Sequence, residues 1–286
     1  MYTGFYIVST GRSGTTILSQ SLSAHPEVIC RSIYPYETRA SQHLFNWDSN
    51  GRIERHLRPA RDPNSKASYK LFLRNDELSF MWWKNMVKGV KKKPVIKLIN
   101  EYYQFISSVE NKTNCKFYLE KATGSSTVIR MHNAEWPLKA ILLIRDPRDI
   151  LLSVKSFNSK RKRAGFGVKR FTDSELLNNY IKFFINTQKS FTKNNLNFCV
   201  VKYDSMIQNP SESFEKMAKD LSLDSSSTSI ELMLESFKSK SADTEKHVTQ
   251  KNINSSSRWR EEASTELLDI YKKHDDSLQL LGYEKT

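Results

Sequence analysis

Short apolar runs alternate with longer amphipathic stretches along this chain. The runs Phe5–Ser9, Lys116–Leu119, Ala140–Ile144 and Phe198–Tyr203 are rich in β-branched and aromatic residues. Such runs are typical of strands that are buried on both faces of a sheet. We predict a fifth strand of the same kind at Val95–Ile99.

Between these runs, apolar residues recur at the spacing of a helix. The predicted helices cover Thr15–Ala24, Asp173–Phe191, Pro210–Leu221 and Glu261–Leu281. Alternating strands and helices predict an α/β fold of three layers, with a mainly parallel sheet flanked by helices. Because no linker-like stretch interrupts the pattern, we predict a single domain over residues 1–286.

The chain has no sequence feature of a membrane-spanning or disulfide-bonded secreted protein. Its longest apolar run, at Ala140–Ile144, is far shorter than the roughly 18 residues that a transmembrane helix needs. No signal-peptide pattern is visible, and Cys30, Cys115 and Cys199 lie far apart. We therefore predict a cytoplasmic protein without a membrane span.

Basic residues are in excess, and the excess lies in one part of the chain. Lys and Arg number 45 against 31 Asp and Glu, a formal net charge of +14. Residues 1–172 carry a net charge of +17, whereas residues 173–286 carry −3. The runs Arg52–Arg61 and Lys155–Arg170 can attract nucleic acid, an acidic membrane or an anionic substrate, or simply form a solvated surface. Since no recognisable nucleic-acid reader accompanies them, we predict no nucleic-acid partner.

The first predicted strand leads into a candidate anion site. Residues 5–25 read FYIVSTGRSGTTILSQSLSAH, a strand, a glycine-containing turn and a helix. Amides at a helix N-terminus and the helix dipole favour negative charge, and the arginine and hydroxyl groups of this turn add donors. The turn lacks the lysine of the Walker sequence, which argues against a magnesium-dependent nucleotide kinase. The predicted phosphate-binding residues are Arg12, Ser13, Gly14, Thr15 and Thr16.

A second candidate phosphate site follows a later strand. Residues 139–153 read KAILLIRDPRDILLS, which places Arg145 at the carboxyl end of a strand, where open α/β sheets bind ligands. Asp146 and Pro147 suit the N-cap and first position of a helix. Arg145 and Ser153, eight residues apart, could hold a second phosphate group; a capped helix start with ion pairs is the alternative interpretation.

These two segments together resemble the sulfotransferases that use 3′-phosphoadenosine-5′-phosphosulfate (PAPS). Arg12-Ser13-Gly14-Thr15-Thr16 resembles the loop that binds the 5′-phosphosulfate in tyrosylprotein, carbohydrate and bacterial members. Arg145 and Ser153 resemble the pair that binds the 3′-phosphate. The resemblance implies a fold like that of the P-loop nucleotide hydrolases, PAPS as the donor and adenosine 3′,5′-bisphosphate (PAP) as the product. We predict no metal ion, because the six histidines form no close cluster with metal-ligand spacing.

Later segments extend the resemblance. The stretch FCVVKYDSMIQNPSESFEKMAKDLSL is similar to a family strand and helix in which Tyr203 would lie near the adenine. The stretch KNINSSSRWREE resembles the loop that covers the nucleotide, which implies Lys251, Ser257 and Arg258 as further donor-binding residues. The match is weak over residues 45–115, which we interpret as a variable insertion on the acceptor side.

The resemblance also implies catalytic residues. Glu37-Thr38-Arg39 resembles the glutamate-containing element that supplies the base in tyrosylprotein-like members, so Glu37 is the predicted base. Arg12 and Lys121 are the predicted cations for the leaving group, although Ala-Thr follows Lys121 where the family has Asp/Thr-Pro. The alternative bases are His43 and His132.

The sequence therefore predicts an enzyme that moves a sulfuryl group from PAPS to a hydroxyl acceptor, by in-line transfer with a glutamate base. The acceptor is a glycan, a small molecule or a peptide tyrosine, and the basic charge of the chain would suit an anionic one. Two alternatives stay open: a P-loop-type kinase of a small metabolite, and a non-catalytic protein that binds nucleotides or polyanions.

Overall fold

The structure is a computed structural model that describes residues 1–50, 78, 82, 94–122, 124–161, 165–239 and 257–286. Most of the predicted acceptor-side insertion, residues 45–115, lies outside the described residues, as does the whole run Arg52–Arg61.

Five strands form one sheet. They are β1 Thr3–Val8, β2 Val28–Ile29, β3 Phe117–Lys121, β4 Leu138–Ile144 and β5 Phe198–Lys202, in the spatial order β2-β3-β1-β4-β5. Strand β3 pairs in parallel with both β1 and β2, and Thr3 lies opposite Phe117. Because parallel strands need crossover connections, helices follow the strands along the chain. The predicted α/β fold with a parallel sheet flanked by helices is confirmed.

Helices make up most of the remaining described residues. They are α1 Thr15–Ala24, α2 Ala40–Asn50, α3 Val95–Val109, α4 Ser125–Asn133, α5 Pro147–Arg161, α6 Asp173–Lys193, α7 Tyr203–Gln208, α8 Pro210–Leu221, α9 Ser227–Lys238, α10 Trp259–Glu262, α11 Thr265–Lys272 and α12 Asp275–Gln279. Among the described residues, none of these helices has the length and apolar character to cross a membrane.

The predicted strand at Val95–Ile99 is wrong, because these residues form the first turns of α3. A short apolar run is compatible with a strand or a helix, and only the wider spacing separates the two. The buried positions of α3 continue beyond the run at helical spacing: Val95, Leu98, Ile99, Tyr102, Tyr103 and Ile106. The strand that extends the sheet beside β3 is instead β2, which has two residues.

The C-terminal region also differs from its prediction. A single helix was expected over Glu261–Leu281, but three short helices, α10 to α12, occupy residues 259–279. The start of α11 has a local cause, since the Ser264 side chain accepts a hydrogen bond from the Leu267 N–H.

The described residues form two compact units. The first unit comprises Met1–Ile7 and Thr16–Ala140, and the second comprises Val8–Thr15 and Ile141–Thr286. The single domain expected over residues 1–286 stays a prediction.

A core of the first unit is built from tyrosines. The rings of Tyr103 and Tyr118 stack with centroids 4.1 Å apart, and the Tyr6 ring meets Tyr118 edge-on at 5.9 Å. All three rings are buried. Buried tyrosine hydroxyls need hydrogen-bond partners, and the Tyr6 hydroxyl lies 2.6 Å from that of Tyr118.

In the second unit, a buried arginine anchors the C-terminal segment. Arg148 forms an ion pair with Asp146 at 2.8 Å, and its guanidinium lies 3.8 Å from the centroid of the Trp259 ring. Arg148 also donates to the Thr286 hydroxyl at 3.1 Å. Because Arg148 is fully buried, its carboxylate and aromatic partners compensate for its lost hydration.

Candidate functional site

The loop between β1 and α1 has the backbone of an anion site. Gly14 has a φ of 93° and Arg12 a φ of 69°, so the chain turns sharply before α1 begins at Thr15. Ser13 is fully buried, and its hydroxyl lies 2.8 Å from that of Thr10. The first amides of α1 have no acceptor within the helix, which makes this end favourable for an anion.

The second motif contacts this loop directly. Arg145, the first residue after β4, donates from Nη1 to the carbonyl of Arg12 at 3.1 Å. Arg12 in turn donates from Nε to the hydroxyl of Ser153, on the second turn of α5, at 3.2 Å. The second unit therefore brings together the two arginines and the serine that were predicted from separate motifs.

Tyr203 packs beneath the loop. A Cβ atom added to Gly14 would lie 2.4 Å from the ring of Tyr203, so only a glycine allows this close approach. The guanidinium of Arg145 lies 4.5 Å from the centroid of the same ring. This cation–π contact holds Arg145 beside the loop.

Arg145 fits an anionic ligand. It is 7% exposed, and among the described residues its Nε atom is buried without a hydrogen-bond partner. The carboxylate of Asp149 lies 3.9 Å from Arg145 Nη2. Burial raises the pKa of Asp149 to about 6, against the opposing effect of the Arg145 charge. Since an unpaired buried donor is costly, the site favours a ligand that supplies an oxygen acceptor.

The C-terminal segment reaches the same region of the second unit. The N–H of Trp259 donates to Asp149 Oδ1 at 3.0 Å. Arg258 is buried and forms two hydrogen bonds with Glu262, and the Arg145 charge helps to lower the pKa of Arg258 after the larger effect of burial. Ser257 has a φ of 63°, whereas the predicted donor-binding residue Lys251 lies outside the described residues.

Two phenylalanines that the sequence analysis missed lie against the loop. The guanidinium of Arg12 is 4.9 Å from the centroid of Phe157, and the ring of Phe166 fills the space beside Gly11. The two rings meet edge-on at 5.5 Å. Phe157 follows Ser153 by one helical turn, so the i, i+4 spacing was the available signal.

In the first unit, Lys121 contacts the second residue of α1. Its Nζ donates to Thr16 Oγ1 at 2.8 Å and to the carbonyl of Pro35. Burial lowers the pKa of Lys121 to about 8, while the negative charge of Glu37 raises it and Arg39 lowers it. Lys121 is therefore a buried cation between Thr16 and the segment that contains Glu37.

The predicted base and its alternatives lie on different elements. Glu37 is half-buried in the segment between β2 and α2. His43 lies on α2, and His132 lies in the last turn of α4. The electrostatic effect of Glu37 on Lys121 links the two predicted catalytic residues in the first unit; the choice of base stays a prediction.

The Gly14 contact gives a first testable prediction. We expect Gly14→Ala to weaken PAP binding at least tenfold, because the added methyl group collides with Tyr203 and the φ of 93° is unfavourable for alanine. Isothermal titration calorimetry would measure the change. Gly124→Ala is the matched control, since the nearest atom to its Cβ would be 4.0 Å away. Equal affinity of both variants for PAP would show that the close contact between Gly14 and the Tyr203 ring is not needed for binding.

Comparison with known proteins identifies the class to which this fold and site belong. The model of the sulfotransferase family matches residues 5–227, so the chain belongs to the sulfotransferase family and is an enzyme of the transferase class. A search of curated proteins finds no match.

Solved structures share the fold over nearly the whole chain. The sulfotransferase domain from the Synechococcus PCC 7002 olefin synthase is 16% identical, with a TM-score of 0.55, over 100% of this chain and 96% of that domain. The sulfotransferase domain from the curacin biosynthetic pathway is 13% identical, with a TM-score of 0.52, over 100% and 99%. Mouse sulfotransferase SULT7A1, complexed with PAP, is 12% identical, with a TM-score of 0.50, over 98% and 88%.

Proposed function

We propose that this sulfotransferase uses PAPS as its donor and a hydroxyl group as its acceptor. The observation that carries the proposal is the contact between its two phosphate motifs, in which Arg145 holds the backbone of Arg12 and Arg12 holds Ser153. A donor with phosphate groups at both the 3′ and 5′ positions would place one phosphate group at each of these two adjacent motifs. The PAP bound by mouse SULT7A1, which shares the fold, supports the same donor.

Each motif has its part in holding the donor. The segment Arg12–Thr16, which includes the N-terminus of α1, would bind the 5′-phosphosulfate. Arg145 and Ser153 would bind the 3′-phosphate, where the buried Arg145 Nε would find an acceptor. Tyr203, Ser257 and Arg258 would line the remainder of the nucleotide site, and Lys251 stays a predicted donor-binding residue.

Transfer requires one bond to form and one to break. Glu37 would accept the proton of the acceptor hydroxyl as its oxygen attacks the sulfur. The bond from sulfur to the bridging oxygen of the 5′-phosphate would break, and PAP would leave with that electron pair. Arg12 and Lys121 would stabilise the charge that develops on the leaving group and the sulfuryl oxygens. These three side chains would supply the base and the cations that in-line transfer needs.

The pKa of Lys121 gives a prediction about pH. A lysine with a pKa of about 8 is charged below that pH and neutral above it, so kcat/KM for PAPS should fall as the pH rises through about 8. In Lys121→Arg the cation persists, and the fall should move to higher pH. Profiles from pH 6.5 to 9.5 would test this, with the exposed Lys116→Arg as control. A fall at the same pH in Lys121→Arg would contradict the role of Lys121.

Binding and transfer experiments test the proposal as a whole. Calorimetry should show much tighter binding of PAP than of AMP. Labelled PAPS should then pass its sulfuryl group to at least one member of an acceptor panel that includes glycans, small alcohols and phenols, and tyrosine peptides. Equal affinity for PAP and AMP would contradict the assignment of Arg145 and Ser153 to the 3′-phosphate. Tight PAP binding without transfer to any acceptor would favour the non-catalytic alternative.

A further inference from the structure

A buried glutamate lies next to Lys121 and has no part in the mechanism above. Glu120, on β3, is 1% exposed. Its Oε1 accepts hydrogen bonds from the Ser41 N–H at 2.7 Å and the Tyr103 hydroxyl at 2.5 Å. Its Oε2 accepts from the Ser41 hydroxyl at 2.8 Å and from Gln42 Nε2 at 2.9 Å. Four donors thus converge on one carboxylate that the strand holds in place.

Three of these four hydrogen bonds come from the first turn of α2. This helix begins at Ala40, so the N–H of Ser41 has no acceptor within the helix. Glu120 accepts that N–H and thereby caps α2 from a distant strand, where a negative charge also suits the helix dipole. The residues just before the helix are Glu37, Thr38 and Arg39. The carboxylate of Glu120 therefore fixes the end of the segment that contains the predicted base.

Lys121 holds the other end of the same segment. Its Nζ donates to the carbonyl of Pro35, two residues before Glu37. Its own carbonyl accepts from Gln42 Nε2 at 3.0 Å, so Gln42 contacts both strand residues. Because successive strand residues point to opposite faces of a sheet, Glu120 and Lys121 hold the segment from two directions. Two adjacent residues of β3 thus bracket residues 35–42.

The tyrosine core supports this arrangement from behind. The Tyr6 hydroxyl lies 2.5 Å from the Ser41 hydroxyl and 2.6 Å from that of Tyr118. The hydroxyl of Tyr103, on α3, donates to Glu120, and this hydrogen bond does not involve α2. The network around Glu120 therefore has an α2 side, formed by Ser41 and Gln42, and a Tyr103 side. Substitutions can remove the hydrogen bonds of one side and leave those of the other.

We propose that Glu120 is a positioning residue for sulfuryl transfer, which keeps the segment of Glu37 in register with Lys121 without contacting the donor or the acceptor. The inference rests on the proposed function, in which Glu37 is the base. It predicts that loss of hydrogen bonds on the α2 side of the network lowers kcat, whereas loss of the hydrogen bond on the Tyr103 side lowers stability alone.

Three variants test this division. Each oxygen of Glu120 accepts at least one hydrogen bond from α2. In Glu120→Gln the amide nitrogen cannot accept a hydrogen bond, so an α2 donor loses its acceptor whichever oxygen the nitrogen replaces. Gln42→Leu removes the bonds to Glu120 and to the Lys121 carbonyl, and it serves if Glu120→Gln does not fold. Tyr103→Phe is the matched control. We expect kcat to fall at least tenfold in the first two, with KM for PAPS and the Kd for PAP within twofold of wild type. Tyr103→Phe should lower the thermal midpoint but keep kcat within twofold.

A double-variant cycle with Glu37→Gln decides how Glu120 acts. If Glu120 works through Glu37, adding Glu120→Gln to Glu37→Gln should cause no further loss of kcat. Two results would overturn the proposal: additive losses of kcat in the double variant, or losses of kcat that parallel the decrease in thermal midpoint in all three single variants. If the wild-type protein still transfers the sulfuryl group, the proposed function stands in either case. Absence of transfer by the wild-type protein would remove the proposed function, and this inference with it.

Discussion

Glu37→Gln is expected to lower kcat for sulfuryl transfer by about 10²–10⁴-fold, the usual contribution of general acid–base catalysis. Glutamine has nearly the shape of glutamate but cannot take the proton of the acceptor hydroxyl. Because Glu37 is not among the residues proposed to hold PAPS, the Kd for PAP should change by less than twofold. Steady-state transfer of label from PAPS, together with calorimetry, would measure both quantities.

A second glutamate of the first unit provides the control for this experiment. Glu27 is half-buried and forms an ion pair with Lys116, whose side chain is 70% exposed, and ion pairs with a solvent-exposed partner contribute little to stability. Glu27→Gln should therefore leave kcat and PAP binding unchanged. If Glu37→Gln retains a third or more of the wild-type kcat, the predicted base is wrong, and His43→Gln and His132→Gln become the next variants to measure.

The second large effect is expected from Arg145→Ala, which should weaken PAP binding about 100-fold, equivalent to ~2.7 kcal/mol. The variant removes the guanidinium proposed to hold the 3′-phosphate. It also removes the hydrogen bond to the Arg12 carbonyl and the contact with the Tyr203 ring. AMP lacks the 3′-phosphate, so its affinity should fall far less, and calorimetry with both ligands would show the loss of discrimination.

Two further substitutions separate geometry from charge. Arg145→Lys keeps the positive charge but not the planar fork, and we expect an intermediate affinity for PAP. Arg170→Ala removes an exposed arginine of the same unit and should change PAP affinity by less than twofold at physiological salt. A similar loss in Arg170→Ala and Arg145→Ala would mean that the general positive field of the unit, and not the second motif, binds the nucleotide.

The sequence was informative where the signals were local. Helix α1 was predicted with its observed bounds, Thr15–Ala24, and α8 likewise at Pro210–Leu221, because caps and apolar spacing lie within a few residues. The strand preceding Arg145 was found for the same reason. The prediction at Val95–Ile99 was wrong, since a five-residue run with four apolar residues satisfies a strand and a helix equally until the next turns are counted.

The contacts of the candidate site lay beyond such signals. Ser41 and Gln42 bond to Glu120 across 78 or 79 positions of sequence, and the pattern around Glu120 looks like that of an ordinary buried strand. The burial that lowers the pKa of Lys121 is likewise a property of packing and not of its neighbours in sequence. Spacing placed Arg145 and Ser153 in one motif, but the structure shows that Arg12 is the residue that reaches Ser153.

Asp149 contacts both the residue proposed to bind the 3′-phosphate and the C-terminal segment, so it can couple nucleotide binding to the docking of residues 257–262. One of its oxygens holds the Trp259 N–H, while the other faces Arg145 at 3.9 Å. By thermodynamic linkage, any effect of an anion at Arg145 on the docking of residues 257–262 equals the effect of that docking on anion binding. We expect slower hydrogen exchange at the Trp259 amide in the presence of PAP, because Ser257 and Arg258, immediately before it, are among the proposed donor-binding residues. Unchanged exchange at saturating PAP would show that the two events are independent.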